Sequence, residues 1–335
     1  MAVTLKEVAA LAGVSRSAVS RCYTEGASVS PSTRAKIKKA ADQLGYHPNA
    51  LASSLTTGRT KLIGLVSNNF HNPIFLEVFD LFTRQLQDRG LRPLLVNLSD
   101  ETDPEASVRM LKQYSVDAVI VASSTLPVSF AEGFQAAGVP VVHSFGRLTD
   151  HPKVHVVGID NKQAGRMAAQ ELLRREYKRI SMLAGPESAT STQDRLFGFL
   201  DALKSAPGVE VSTSFATAYS FDAGWEEMNR LIAEGDIAQG YFCGDDVLSI
   251  GVLSALQAAG FEVPKDVGLI GLNDMEMARW NNINLTTIRQ PIPEVVRLSV
   301  EMVCDMLDQS AVPPKAHLLP CEVVERGTLG AVQPE

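Results

Sequence analysis

At 335 residues, 45% hydrophobic and 21% charged, the chain has the length for two or three domains with full cores and the composition of an ordinary globular protein. There is no apolar export signal and no uncharged run near the ~20 residues that span a bilayer, and neither the four scattered cysteines nor the six histidines make a metal-ligand spacing. A cytoplasmic protein with no metal, no cofactor and no membrane partner is therefore expected. The net charge of −7 is unevenly spread: residues 1–60 hold eight Lys/Arg against three Asp/Glu, a net +5, which leaves −12 for the remainder. A basic head on an acidic body suits nucleic-acid binding by the head.

Leu5, Val8, Ala9 and Ala12 recur at spacings of three and four and predict a first helix, closed by Gly13. Ser15 is placed to cap a second helix in which Val14 and Val19 pack inward, leaving Arg16, Ser17, Ser20 and Arg21 on the outer face. Two short helices joined by a glycine turn are a helix-turn-helix, whose second helix enters the DNA major groove. Ser30-Pro31 opens a third helix ending at Leu44 before Gly45, with Ile37, Ala40, Ala41 and Leu44 as its buried stripe and Lys36, Lys38 and Lys39 on a solvated face. Asn49 through Leu55 is helix-compatible but only about two turns long, so it needs a packing partner to be ordered.

From Lys61 onward, short apolar runs alternate with amphipathic stretches. Leu62-Ile63-Gly64-Leu65-Val66, Leu94-Leu95-Val96, Ala118-Val119-Ile120-Val121 and Val139-Pro140-Val141-Val142 have the unbroken hydrophobicity of parallel strands covered on both faces. A second series follows at 154–159, 180–183, 239–243 and 267–272, with helices expected at 161–176, 194–203 and 246–259. Repeated β-α units mean doubly wound parallel sheets, and two series mean two lobes. The fold class is thus a small all-α helix-turn-helix head plus an α/β core of two doubly wound lobes. Breaks between lobes fall near 158–160 and 285–291, a last helix at 292–307 returns to the first lobe, and a third crossing lies near 318–321. Ligands of such sheets bind outside the carboxyl ends of the strands. No Gly-x-Gly-x-x-Gly, phosphate loop or Gly-x-Ser-x-Gly elbow occurs, so an enzyme is not expected. A transport-type sugar-binding protein fits the body but leaves the basic head unexplained.

The order Thr4-Leu5-x-x-Val8-Ala9-x-x-Ala12-Gly13-Val14-Ser15-x-x-x-Val19-Ser20-Arg21, then Leu44-Gly45-Tyr46-x-Pro48-Asn49-x-x-Ala52-x-x-Leu55, closely resembles the lactose-repressor/galactose-repressor family of bacterial transcription regulators. The resemblance implies four parts: a head at 1–47, a hinge helix and linker at 48–60, a first lobe at 61–158 with about 290–318, and a second at 159–289 with about 319–335. It implies a core like that of periplasmic sugar-binding proteins. It also implies a regulator, a repressor of a carbohydrate-use operon, whose grip on a near-palindromic double-stranded operator is switched by a small sugar-like effector between the lobes.

On that resemblance Arg16, Ser17 and Arg21 read bases, the arginines being guanine candidates. Thr4, Ser15, Ser20, Thr33 and Tyr46 match positions that hold the phosphate backbone, and Leu5 stands with them in the DNA-contacting set. Asn49, Ala52, Ser53 and Leu55 belong to a hinge helix that enters the minor groove, with Leu55 as the wedge. The effector set is Asn72 and Phe75 after the first strand, Phe145 and Arg147 after the fourth, Arg195, Asp245, Asn273, a stacking Trp280, and Gln290 at a crossover. Asp246 is expected as a helix cap. Departures from the family pattern are Gly146 and Asn273 where aspartate is usual, Ala18 for a threonine, and Cys22-Tyr23-Thr24 for an aliphatic-leucine-asparagine run. The tail is short and helix-poor, so a homodimer is expected, with half-sites ~34 Å apart.

Overall fold

A computed structural model describes residues 3–24, 26–48, 54, 58–98, 104–308 and 313–332. The chain divides into two units, Met1–Lys61 and Leu62–Glu335.

In the first unit, α1 (Leu5–Ala12) opens on a capping box in which the Thr4 N–H donates to Glu7 Oε2 at 2.7 Å, and it stops at Gly13, whose φ of 64° is left-handed. These hydrogen bonds from Thr4 hold the Glu7 carboxyl below its usual range. Ser15 caps α2 (Arg16–Cys22) by accepting from Ala18 N at 3.2 Å. Ser30 caps α3 (Pro31–Leu44), which carries proline in its first turn. Val8, Ala9, Val19, Cys22, Ile37, Ala40 and Ala41 form the head's buried core, with Leu44 half-buried against it. Arg34 donates to the Cys22 carbonyl at 2.8 Å and ties α3 to the end of α2. The short helix expected at 49–55 lies outside the described residues except for Ser54, whose carbonyl accepts Gly58 N at 2.8 Å.

In the second unit, β1 (Leu62–Ser67), β2 (Arg92–Asn97), β3 (Ala118–Ala122), β4 (Val141–Ser144), β5 (His155–Ile159) and β11 (Ala316–Leu319) form one sheet, with α4 (Ile74–Asp88), α5 (Pro104–Gln113), α6 (Val128–Ala136) and α11 (Ile292–Asp308) joined to it. Its order is β11-β5-β4-β3-β1-β2, and every pair is parallel. The other sheet has β6 (Arg179–Ala184), β7 (Glu210–Phe215), β8 (Gly240–Cys243), β9 (Gly268–Asn273), β10 (Thr287–Arg289) and β12 (Glu322–Val324), with α7 (Asn161–Arg174), α8 (Thr190–Leu203), α9 (Phe221–Glu234) and α10 (Asp246–Ala258). Its order is β12-β10-β9-β8-β6-β7, with only β12 antiparallel.

β5, grouped by its pattern with the second series, pairs in the first sheet between β4 and β11, on the first-lobe side of the break near 158–160. The central strands β3, β5 and β9 are buried throughout, whereas β7, at an edge, exposes its first four residues and so lacks the apolar run that marked the others. α7 and α8, the helix that carries Arg195, meet backbone to backbone: a Cβ on Gly198 would lie 1.8 Å from the Lys162 carbonyl oxygen, and one on Gly165 would lie 2.0 Å from that of Arg195.

Candidate functional site

On α2 the buried residues are Val19 and Cys22, so 3.6-residue periodicity turns Arg16, Ser17, Ser20 and Arg21 outward, and all four are exposed. The Arg21 Nε reaches the Ser17 carbonyl at 3.4 Å, and the Ser17 hydroxyl pairs with that of Ser15 at 2.9 Å. Thr4 and Thr33 are engaged in the starts of α1 and α3. Leu5 and Tyr46 are half-buried against the head core, with Tyr46 edge-on to Tyr23 at 6.0 Å between ring centres. Asn49, Ala52, Ser53 and Leu55 lie outside the described residues.

In the core, the carboxyl ends of the strands of both sheets meet at a cleft, where open α/β sheets hold ligands. The lining encloses about 430 Å³, including the mouth. The first lobe supplies an apolar wall of Ile74, Phe75, Val78, Phe145 and Ile292 with polar Asn69, Asn72 and Ser124. The second supplies Arg195, Tyr219, Asp245 and Asn273, and Gln290 sits where the chain returns.

Asp245 is the hub. Its Oδ1 accepts Val247 N at 2.8 Å and so caps α10, and its Oδ2 accepts Asn72 Nδ2 at 3.1 Å from the opposite lobe and Asn273 Nδ2 at 2.7 Å. Gln290 Nε2 in turn donates to Asn273 Oδ1. Burial pushes the Asp245 carboxyl up; the Val247 N–H, Arg195 and the two amides oppose this by favouring the charged form. Arg195, 3% exposed, donates from Nε to Asn161 Oδ1 at 2.8 Å and from Nη1 to the Gly244 carbonyl at 2.7 Å. A buried guanidinium held in place by Asn161 and Gly244, beside a carboxylate on the same lining, is an arrangement for ligand hydroxyls, with the aromatic wall opposite for an apolar ring face.

Three sequence expectations change. Asp246 is not the cap of α10, which is Asp245; it is fully buried and accepts Met275 N at 2.8 Å and Thr287 Oγ1 at 2.5 Å, and burial, aided by Asp245, lifts it to about 7. Arg147 does not line the cleft; it forks onto Asp194 at 2.7 and 2.9 Å and joins the two lobes. Trp280 follows the short 3-10 turn Glu276–Arg279, is 48% exposed and lies off the lining, because its turn packs through Ala278 instead. Tyr219, Asn69 and Ser124 line the cleft and were missed. The last two sit just past β1 and β3, where the strand-end rule alone would have found them. Tyr219, whose hydroxyl pairs with Thr192 Oγ1 at 2.6 Å, follows the polar edge strand β7.

A helix-turn-helix head carried on a two-lobed core with a polar cleft defines a ligand-responsive DNA-binding transcription regulator. Residues 4–49 match the family model for bacterial regulatory proteins of the lacI family, and residues 169–329 match that for a periplasmic binding protein-like domain. The chain is 30% identical over 332 residues to the HTH-type transcriptional regulator CelR of Thermobifida fusca, covering 96% of this chain and 97% of that one. It is 30% identical over 329 residues to the ribose operon repressor of Escherichia coli (strain K12), covering 97% and 99%. Among solved structures, a CelR-cellobiose complex aligns with a TM-score of 0.72 at 30% identity over 97% of this chain and 99% of that one. A lac repressor dimer bound to operator and the anti-inducer ONPF aligns with a TM-score of 0.86 at 25% identity over 98% and 100%. The chain belongs to the lacI family of bacterial regulatory proteins. Among the described residues no helix is long and apolar enough to cross a membrane.

Proposed function

We propose that this chain is a cytoplasmic repressor of a carbohydrate-use operon, acting as a homodimer on a near-palindromic operator. Arg16, Ser17 and Arg21 read base edges, and Thr4, Leu5, Ser15, Ser20, Thr33 and Tyr46 set the head on the phosphates. Asn49, Ala52, Ser53 and Leu55 engage the operator centre. A small sugar-like effector binds between the lobes on Asn72, Phe75, Phe145, Arg195, Asp245, Asn273 and Gln290. Arg147 and Trp280 stand outside that set, off the lining of the cleft.

The observation that carries this reading is the hydrogen bond from Asn72 to Asp245, which joins opposite walls of the cleft beside the buried Arg195. A ligand at that point touches both lobes and so senses their arrangement. Such coupling is reciprocal: operator changes effector affinity by the factor by which effector changes operator affinity. Anisotropy titrations of the full chain on operator DNA, with and without cellobiose or ribose, test it. Arg16→Ala is expected to weaken operator binding and leave sugar binding intact. Arg195→Ala is expected to keep operator binding and lose the response at sugar concentrations that saturate the parent. Equal operator affinity with and without a bound sugar would overturn the proposal.

A further inference from the structure

α8 turns Arg195 inward to the cleft and Phe197 outward, and its outer face carries a second hollow. Leu196, Phe197 and Leu200 of α8 and Phe215 at the end of β7 form its apolar lining, and it encloses about 600 Å³ including the mouth. Phe197 is 52% exposed and Leu200 36%, so water covers side chains that gain from being covered. Glu187 and Gln193 mark one end, where Gln193 Nε2 donates to the Glu187 carbonyl at 3.3 Å. At Phe197 the charge is of the other sign. Two ammonium groups lie over its ring, Lys162 Nζ at 5.0 Å and Lys204 Nζ at 5.9 Å from the centre. Lys204 donates to Asp201 at 3.1 Å, and Arg166 reaches the same carboxyl at 3.6 Å. Neighbouring carboxyls are engaged elsewhere: Asp160 caps α7 through Gln163 N at 3.0 Å, and Asp194 is held by Arg147. Lys162, Arg166 and Lys204 thus stand against Asp201 alone, a net +2 on a body that carries −12.

We infer that this hollow is a second small-molecule site, separate from the cleft, and that it takes an aromatic acid. The ligand's ring system lies on Phe197, Leu200 and Phe215, and its acid group sits by Lys162 and Lys204, at the end away from Glu187. Small-molecule sites have volumes of ~300–1,000 Å³ and an apolar lining with a few placed polar groups, which is the form of this one. Two ammonium groups drawn to one ring repel each other, and an anion between them relieves that repulsion while the ring supplies a stacking face. Only α8 separates this ligand from the cleft: Thr192 belongs to the hollow's lining, and its hydroxyl pairs at 2.6 Å with Tyr219 of the cleft.

The test is fluorescence titration of the full chain with two dyes of one body, 8-anilinonaphthalene-1-sulfonate, which carries an acid group, and N-phenyl-1-naphthylamine, which does not. The sulfonate is expected to bind roughly tenfold more tightly than the neutral dye, an advantage that shrinks in high salt. Lys162→Gln with Lys204→Gln is expected to bring the two dyes level. Phe197→Ser, at a half-exposed position that the core does not need, is expected to weaken both by roughly tenfold or more. Sulfonate binding that is unchanged in Phe197→Ser places the dye elsewhere and overturns the inference. So does a neutral dye that binds the parent as tightly as the sulfonate, or a parent that binds neither. A parent that binds neither dye and sediments as a smaller species on Phe197→Ser would show the hollow covered by a second copy of the chain, which also overturns it. Each of these outcomes leaves the reading of the cleft untouched.

Discussion

Arg147→Ala tests whether the two lobes are held together by a side-chain clasp. Arg147 follows β4 in the first lobe, and Asp194 lies in the first turns of α8 in the second. The guanidinium donates from Nε and Nη2 to the two Asp194 oxygens at 2.7 and 2.9 Å, and Nη2 also reaches the Thr190 carbonyl and Gln193 Oε1, both at 3.1 Å. Exposed ion pairs contribute ~0–1 kcal/mol, and hydrogen bonds to charged groups ~1.5–3 kcal/mol. With the side chains 29% and 14% exposed, solvent screening discounts the upper figure, which leaves ~1–2 kcal/mol, or roughly 5- to 30-fold in the equilibrium between joined and parted lobes. The readout is built in. The Ser191 amide donates to the Ser124 carbonyl across the lobes, so its hydrogen exchange reports their parting. Arg147→Ala and Asp194→Asn should each speed Ser191 exchange roughly 5- to 30-fold, leave amides inside β3 and β8 unchanged, and combine to no more than either alone. Unchanged Ser191 exchange, or a double variant equal to the product of the singles, refutes the clasp.

Asp246 is lifted to about 7 from the ordinary 3.8, so between those values the native chain keeps a proton that the unfolded chain releases, and its contribution to stability falls as pH rises through that window. Asp246→Asn should remove this slope in denaturant titrations run at pH 4 to 7. His143 works in the opposite sense. Burial holds it at about 4 against 6.5, the native chain refuses a proton that the unfolded chain takes, and its contribution rises with pH over that interval, so the variant's curve should tilt upward relative to the parent's. Gly198→Ala forces a methyl into the Lys162 backbone and should cost ~3 kcal/mol or more in chemical denaturation. Gly133→Ala on α6, where nothing lies within 4 Å, should instead stabilise by ~0.5–1 kcal/mol. Arg16→Ala should weaken the specific operator by ~1–3 kcal/mol and relax the base preference at one position per half-site; a uniform loss across sequences would make Arg16 a phosphate contact.

The head was legible almost residue by residue, because its signals are local. Gly13, Ser15, Ser30 and Gly45 act within one turn of where they stand. The buried strands were legible because both faces are covered, so every position is apolar. What was hidden depends on distance. β5 reads like any other buried strand, and only the crossover decides which sheet takes it. Arg147 carries no mark of Asp194, 47 positions on, so the nearby pocket claimed it. Asp245 and Asp246 are adjacent and chemically identical, and their different duties follow from which amide and hydroxyl donors the fold brings to each. Tyr219 follows a strand whose polarity belongs to its edge position, and nothing in the local pattern sets it apart from a surface tyrosine.

The two walls of the cleft have different parts in switching. A ligand shifts an equilibrium only by its differential affinity for the two states, however tightly it binds. Contacts to Arg195, Asp245 and Asn273 all lie in one lobe and travel with it, so they strengthen binding in every arrangement of the lobes. Contacts to Asn72, Phe75 and Phe145 are added only when the other lobe is in reach. Substitutions on the two walls should therefore separate affinity from response. Arg195→Ala should demand more sugar but reach the parent's plateau in operator affinity. Asn72→Ser keeps an oxygen near the Ile74 N–H while losing the donor to Asp245, and it should bind sugar nearly as well yet reach a plateau closer to the sugar-free value. Operator titrations at saturating sugar measure both. A lost plateau in Arg195→Ala with a full one in Asn72→Ser would mean that the second lobe carries the switch and would overturn this division between the walls.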